Sequence, residues 1–298
     1  MSDQATDQAT EAFVAHRNLL FTVAYEMLGS AADAEDVLQE TWLRWVKVDQ
    51  GQVRDQRAYL VRITTRQSLN RLRTMSRRKE AYVGPWLPEP LLTAPDVAED
   101  VDLAESMSMA LMLVLETLSP TERAVFVLRE VFDFGYEEIA AAVDKTPAAV
   151  RQIASRARRH VDARRPREAV SAGETRAVLE SFQHAVHTGD LQRLLDLLAP
   201  EVVLMTDGGG VKQAARRPIV GADKVGRYII GGTGKAEGTL TLDHTVVNGN
   251  PALVLHLDGE LEGVITTRVE NGRITGLYYV RNPEKLTHVE SETPLTLR

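Results

Sequence analysis

Arg151, Gln152, Ser155, Arg156 and Arg159 share one face of the stretch 147–165 if that stretch is helical. Arginine and glutamine present forked donors that match base edges, and the small Ala148 and Ser155 allow close approach. Val150, Ala154, Ala157 and Val161 fall on the opposite face, where a core is expected. Thr146 suits the N-cap and Pro147 the first helical position, where a missing N–H costs nothing. Upstream, Ile139, Ala140 and Val143 give the segment Tyr136–Val143 its own apolar face, and Asp144-Lys145 supplies a turn. Eight Lys/Arg against the single acid Asp162 lie between Lys145 and Arg167. The pattern reads as a helix-turn-helix whose second helix enters the major groove. A solvated basic helix, or an adaptor for an acidic protein, is the competing reading.

The elements around it must give that helix a purpose. Residues 57–79 carry eight Lys/Arg and no acid, with Tyr59, Leu60, Ile63, Leu69 and Leu72 at helical spacing. A second basic amphipathic helix implies a second phosphate contact and a salt-dependent affinity. A loop, 48–56, precedes it. Ahead of the loop, Ser30 and Asp33 form a capping-box variant that starts a helix with Val37, Leu38, Trp42 and Trp45 inward. Asp33, Glu35, Asp36, Gln39 and Glu40 line its outer side, either as a solvated face or as a docking face for a basic or mixed protein surface. A first helix is expected over 11–28, with residues 1–10 frayed.

Residues 82–105 read as a linker, with four prolines in the first part and six acids, five of them after Pro95. Trp86, Leu87, Leu91 and Leu92 are too apolar for a mere spacer, so part of the linker should dock. One helix is expected over 106–118, and the box Ser119-Pro120-Thr121-Glu122 starts another that runs to Val131.

Beyond Arg167 a helical pair is followed by period-two strands over 201–207, 239–247, 252–257, 260–269 and 273–281. Asn248-Gly249, Asp258-Gly259 and Asn271-Gly272 are hairpin turns, and a short helix near 221–230 interrupts the strands. Helices and then an antiparallel meander predict an α+β domain. Asp207, Asp243, His244 and His256 are the residues able to move protons there, with His244 facing inward. A structural role for them is favoured, so no catalytic residue is assigned.

The 298 residues are 44% hydrophobic and 26% charged, with a net charge of −7 that hides the segregated basic stretches. The absence of cysteine excludes disulfides, thiolate metal sites and cysteine nucleophiles. No cofactor or metal is expected. No stretch approaches ~18 apolar residues, so the chain is expected to avoid membranes and act in the cytoplasm.

DAEDVLQETWLRW at 33–45, AYLVRITTRQSLNRLR at 58–73, LSPTERAVFVLRE at 118–130 and the helix-turn-helix together resemble the extracytoplasmic-function sigma factors of bacterial RNA polymerase. The C-terminal part resembles SnoaL-like, nuclear-transport-factor-2-like cones. WLPEP at 86–90, DGGG at 207–210 and NPEKL at 282–286 resemble signatures of the SigJ-like, or forty-first, group, which joins the two. The implied fold is multidomain: two all-α sigma domains, the second with the helix-turn-helix, plus an α+β cone. The implied domains are sigma region 2 over 1–80, an acidic Pro-rich linker over 81–105, sigma region 4 over 106–168 and the SnoaL-like domain over 174–298.

The resemblance also implies roles. Asp33, Asp36, Gln39, Glu40 and Trp42 would dock on core RNA polymerase, whose β′ clamp and β flap are the expected partners. Asp49, Gln50, Gln52, Arg54, Arg62, Arg66, Asn70 and Arg73 would read and hold the −10 element of promoter DNA. Thr146, Ala148, Arg151, Gln152, Ser155, Arg156 and Arg159 would read the −35 element. Trp86, Leu87, Pro88, Asp207, Gly208, Gly209, Gly210, Asn282 and Pro283 would join the C-terminal domain to the sigma part and regulate it. The cone could admit a small-molecule ligand. The alternatives are a one-component helix-turn-helix regulator with a ligand-sensing domain, and a fusion enzyme with a vestigial sigma part.

Overall fold

Gly29 ends the first helix at φ 67° and Ser30 begins the next, its hydroxyl accepting from the Asp33 N–H at 3.1 Å. The computed structural model describes residues 3–94, 101–164, 170–234 and 238–297, with side chains from residue 7 onward except at 50, 101 and 102. The chain forms two compact units. One holds Met1–Glu80, Val114–Arg165 and Pro294–Arg298; the other holds Ala81–Leu113 and Pro166–Thr293. In this division residues 81–113, the expected linker and the first part of the helix expected over 106–118, group with the C-terminal strands, in line with the expectation that part of the linker docks.

In the helical unit, α1 (Asp3–Leu28), α2 (Ala31–Trp45) and α3 (Gln56–Glu80) pack on one another. Helix α1 begins earlier than expected, at Asp3, and Trp45 Nε1 ties its first turns to the end of α2 by donating to the carbonyl of Ala9 at 2.9 Å. The 119–122 capping box is formed and starts α6 (Pro120–Phe126). The continuous helix expected to Val131 instead widens into a π-turn over Val127–Val131. Helices α7 (Tyr136–Val143) and α8 (Pro147–Asp162) follow. Arg123 is 2% exposed and donates to the Glu26 carbonyl at 3.1 Å. The Glu116 carboxylate receives both Arg123 and Lys79. Burial pushes the Glu116 carboxyl up, but the two cations outweigh it and hold it below the usual carboxylate range. The helix expected over 106–118 is interrupted at Met107-Ser108: α4 (Val101–Ser106) and most of α5 (Met109–Leu115) belong to the other unit.

In the other unit, α9 (Ala172–Thr188) is capped by the Ser171/Glu174 box and ended by Gly189 at φ 68°. After α10 (Leu191–Leu197) come β1 (Leu198–Asp207), β2 (Ile219–Val220), α11 (Ala222–Thr233), β3 (Leu240–Val247), β4 (Asn250–Leu257), β5 (Glu260–Glu270) and β6 (Arg273–Val280). Among the described residues they form one sheet in the order β2-β1-β6-β5-β4-β3. The three predicted turns have positive φ at both central residues, the geometry that twists hairpins correctly. The expected all-antiparallel meander is corrected at one place: β1 pairs parallel to β6, with Leu204 opposite Leu277. That pairing is non-local and leaves no turn signal to read. β2 also escaped sequence reading, being two residues long.

The sheet is covered on both faces. Phe182, Leu194, Leu204, Leu242, Leu253, Leu255 and Leu277 form a core with the helices. On the other face Ala252, Val254, Val264, Tyr278 and Val280 pack with Leu87, Met109, Leu286 and Val289.

Candidate nucleic-acid interface and linker anchor

Helix α8 turns Val150, Ile153, Ala154, Ala157 and Val161 inward. The Thr146 hydroxyl caps it, accepting from the Ala149 N–H at 3.2 Å, and Asp144 ends α7 at φ 56°. Thr146, Ala148, Arg151, Gln152, Ser155, Arg156 and Arg159 are all exposed. Tyr136 lies under Arg151, whose guanidinium is 5.5 Å from the ring centroid. Arg158 is engaged differently: it pairs with Glu130 at 2.6 Å. Arg165, the last residue of the expected helix, lies outside the described residues.

The residues assigned to −10 readout do not form one cluster of free groups. Asp49 organises its own loop, accepting from the Gly51 N–H at 3.1 Å and Gln52 Nε2 at 3.0 Å. The Gln50 side chain lies outside the described residues. Arg62 stacks on Tyr59 at 4.4 Å, and Arg73 donates to Asn70 at 3.0 Å. Arg54 is exposed. Arg66 reaches the C-terminal end of α7, donating to the carbonyls of Ala141 at 3.0 Å and Ala142 at 3.4 Å. Those carbonyls carry the negative end of the helix dipole, so the guanidinium is well placed. An open groove of about 670 Å³ runs beside Lys47, Val48, Tyr59, Ile63 and Arg66.

Two expectations for α2 need correction. Asp33 is 8% exposed rather than outward, because Arg71 and Arg78 approach its carboxylate at 3.4 and 3.5 Å. Trp42 is half-buried against Phe13, with ring centroids 5.4 Å apart. Asp36 pairs with Arg71 at 2.8 Å, and Glu40 lies 3.9 Å from it. Gln39 is exposed. Leu43, 54% exposed on the same helix, went unremarked in the sequence. Its signal was available: it falls out of phase with the Val37, Leu38 and Trp45 stripe.

The densest polar constellation sits at the end of β1. Asp207 is fully buried and accepts from Tyr82 Oη at 2.6 Å, the Leu87 N–H at 2.8 Å and the Gly209 N–H at 3.1 Å. Lys285 Nζ meets the same carboxylate at 2.7 Å and donates to the Leu87 carbonyl at 2.6 Å. The ammonium lies 4.0 Å from the Trp86 ring centroid and 4.8 Å from that of Tyr82. Asn282 donates to Tyr82 Oη at 2.8 Å and caps the turn Pro283–Lys285. Burial first, then the hydrogen bond to Asp207 and its charge, push the Tyr82 phenol above its ordinary range, so it stays a donor.

Gly208 and Gly209 are required by close approach. A Cβ at Gly208 would fall 2.2 Å from the Lys212 carbonyl, and one at Gly209 2.5 Å from the Asn282 amide. Gly210 is exposed at φ 77°, Pro88 is buried and Pro283 is exposed. The linker then continues along the sheet: Leu91 N–H donates to Asn248 Oδ1 at 2.9 Å, Asn248 N–H returns to the Leu91 carbonyl at 2.9 Å, and Leu92 bridges to Val247. Asp96, Glu99 and Asp100 lie outside the described residues. Sequence reading missed Tyr82, Asn248 and Lys285 as anchor residues.

The proton-moving candidates do not converge. Asp207 is held by the linker. His244 is exposed rather than facing inward, 2.9 Å from Gln183. His256 pairs with Asp243 at 3.1 Å on the surface. None of the four lines the cavity of about 550 Å³ between α9, α11 and the sheet. Among the described residues no cluster could hold a metal ion, and no helix is long and apolar enough to cross a membrane.

Residues 12–78 match the family described as Sigma-70 region 2, and residues 108–161 match Sigma-70, region 4. The chain is 35% identical to the ECF RNA polymerase sigma factor SigJ of Mycobacterium tuberculosis, over 92% of each protein. It is 32% identical to the probable ECF RNA polymerase sigma factor SigI of the same species, over 96% of this chain and 97% of that one. The crystal structure of SigJ superposes with a TM-score of 0.76, covering 96% of this chain and all of that one at 33% identity. The two α-helical sigma domains and the C-terminal α+β domain thus occur together in a solved relative.

Proposed function

The chain belongs to the extracytoplasmic-function sigma factors of bacterial RNA polymerase, and on that footing we propose a division of labour among its surfaces. Residues 1–80 dock on the β′ clamp through Asp36, Gln39, Glu40 and the exposed Leu43, and read the −10 element with Arg54, Arg62, Arg66, Asn70 and Arg73, of which Arg66 borders the groove beside Tyr59. Asp49 and Asp33 position their neighbours rather than touch a partner. Residues 106–168 read the −35 element near the β flap through the exposed face of α8. The observation carrying this reading is that every base-reading candidate on α8 is exposed while Val150, Ile153, Ala154, Ala157 and Val161 are buried.

Arg156→Ala is expected to cost promoter binding about 1–3 kcal/mol, as loss of a bidentate guanine contact does. A mobility shift of a promoter fragment with core polymerase measures it; an unchanged −35 preference would remove Arg156 from the readout. The same assay without core polymerase separates a sigma factor from a free repressor, which binds duplex DNA unaided.

The C-terminal domain, in this reading, regulates the sigma part in cis from the cytoplasm and does so without turnover. The anchor around Asp207 supports it, because the linker is hydrogen-bonded into the domain at both Leu87 and Leu91. A fused domain acts at roughly millimolar effective concentration, so weak contacts suffice. Run-off transcription by the whole chain and by a chain ending near Ala172 tests the idea. Different activity is expected; equal activity at all polymerase concentrations would overturn cis control. The hollow interior of the domain is where a small molecule could act on it.

A further inference from the structure

The cavity in the C-terminal domain is two-sided in its chemistry. Most of its wall is apolar, made by residues such as Leu204, Leu242, Leu255, Ile265 and Leu277. One part is polar and gathers Gln213, Glu262, Tyr279 and Arg281. There Arg281 pairs with Glu262 and donates to the Gln213 carbonyl. Glu262 also takes Lys212, which stands outside the cavity lining, at 2.7 Å, so two cations share one carboxylate and the three groups together carry one positive charge. Burial pushes the Glu262 carboxyl up, but Lys212 and Arg281 more than offset it, so Glu262 stays ionised and the count holds near neutral pH. The buried Arg281 Nε has no acceptor among the described residues. Tyr279 lies 5.4 Å from the Arg281 guanidinium, and burial raises its phenol above the ordinary range, leaving it a neutral donor.

Apolar pockets of this size with a few convergent polar groups suit small molecules. We propose that this cavity binds an amphiphilic anion, an apolar chain or ring system bearing one carboxylate, with its head group against Arg281 and Tyr279. The proposal rests on the reading of the C-terminal domain as a regulator only for its purpose, not for the binding itself. The purpose follows from strand β6. Leu277 and Tyr279 line the cavity, while Tyr278 and Val280 on the alternate face pack with Leu87 of the anchored linker. One strand therefore separates the ligand from the linker anchor.

The test is titration of the full-length chain with 1-anilinonaphthalene-8-sulfonate, followed by competition with octanoate and with 1-octanol. Saturable one-to-one binding is expected, displaced at least tenfold more effectively by octanoate than by octanol. Leu255→Trp, which fills the cavity, should abolish it. Tyr279→Phe and Arg281→Gln should each weaken octanoate severalfold and leave octanol unchanged. Should Leu255→Trp fail to give the native circular dichroism, Leu242→Phe fills the same space by less. Equal competition by octanol, or dye binding that survives cavity filling, would overturn the proposal, as would no binding. The transcription comparison with the truncated chain decides cis control separately, so either idea can fail alone.

Discussion

Asp207→Ala is expected to destabilise the C-terminal unit by about 3–5 kcal/mol, the cost of removing one partner from a buried ion pair. The carboxylate is fully buried and takes four donors: Tyr82 Oη, the Leu87 and Gly209 N–H groups and Lys285 Nζ. Lys285 is itself only 6% exposed. With Asp207 gone the ammonium retains the Leu87 carbonyl and the faces of Trp86 and Tyr82, but not the negative charge it was buried with. In a unit of this size the loss lowers the melting temperature by on the order of 10 °C. Thermal denaturation measures that, and proteolysis of the linker reports on the anchor directly, with faster cleavage expected near Trp86. Adding Lys285→Met to the variant should recover part of the loss, because the penalty is a stranded charge rather than a missing attraction. A melting temperature unchanged by Asp207→Ala would show that the linker is held by Leu87, Leu91 and the sheet alone.

What sequence could reveal here was local. Thr146, Pro147 and the alternation of Val150, Ala154 and Ala157 with arginines carried the helix-turn-helix whole, since cap and period lie within a few turns. The Asn-Gly and Asp-Gly turns carried the hairpins for the same reason. The anchor was legible only through resemblance, because its members are remote: Asp207 is 125 residues from Tyr82 and 78 from Lys285. Nothing periodic connects them. Asn248 shows how one signal can hide another. Its positive φ makes it a turn residue, which is all the sequence suggests, yet its side-chain oxygen also receives the Leu91 N–H.

One missed signal was present in the strands. Asn250–Leu257 contains Ala252, Leu253, Val254 and Leu255 in succession, all buried. A strand with one wet face alternates; an unbroken apolar run means both faces are covered. That run already implied that something apolar lies on the sheet opposite the helices, and Leu87 and Leu91 of the linker were the available segment. On α2 the error ran the other way. Asp33 looked solvated because aspartates usually are, and only the folded chain brings Arg71 and Arg78 to it.

Glu116→Gln is expected to destabilise the helical unit by several kcal/mol at pH 7, because it removes the charge shared by Lys79 and the buried Arg123. The pH dependence identifies the cause. The folded chain holds the Glu116 carboxyl below its ordinary value of 4.5, with Arg123 and Lys79 overcoming the upward push of burial. A depressed carboxyl contributes stability that is full above its unfolded value and is lost as pH falls through the folded one. Wild type should therefore lose this contribution from about pH 4.5 downward, whereas the glutamine variant has no such contribution to lose. Urea unfolding at pH 7 and below pH 4 gives the difference between the two proteins, which should shrink as the carboxyl takes up its proton. A difference of the same size at both pH values would assign the effect to packing around Arg123 instead of charge. The same network is joined by Arg123 to the Glu26 carbonyl on α1, so the ion pair ties α6 and the end of α3 to the first helix. Its loss should reach all three elements together rather than fray one of them.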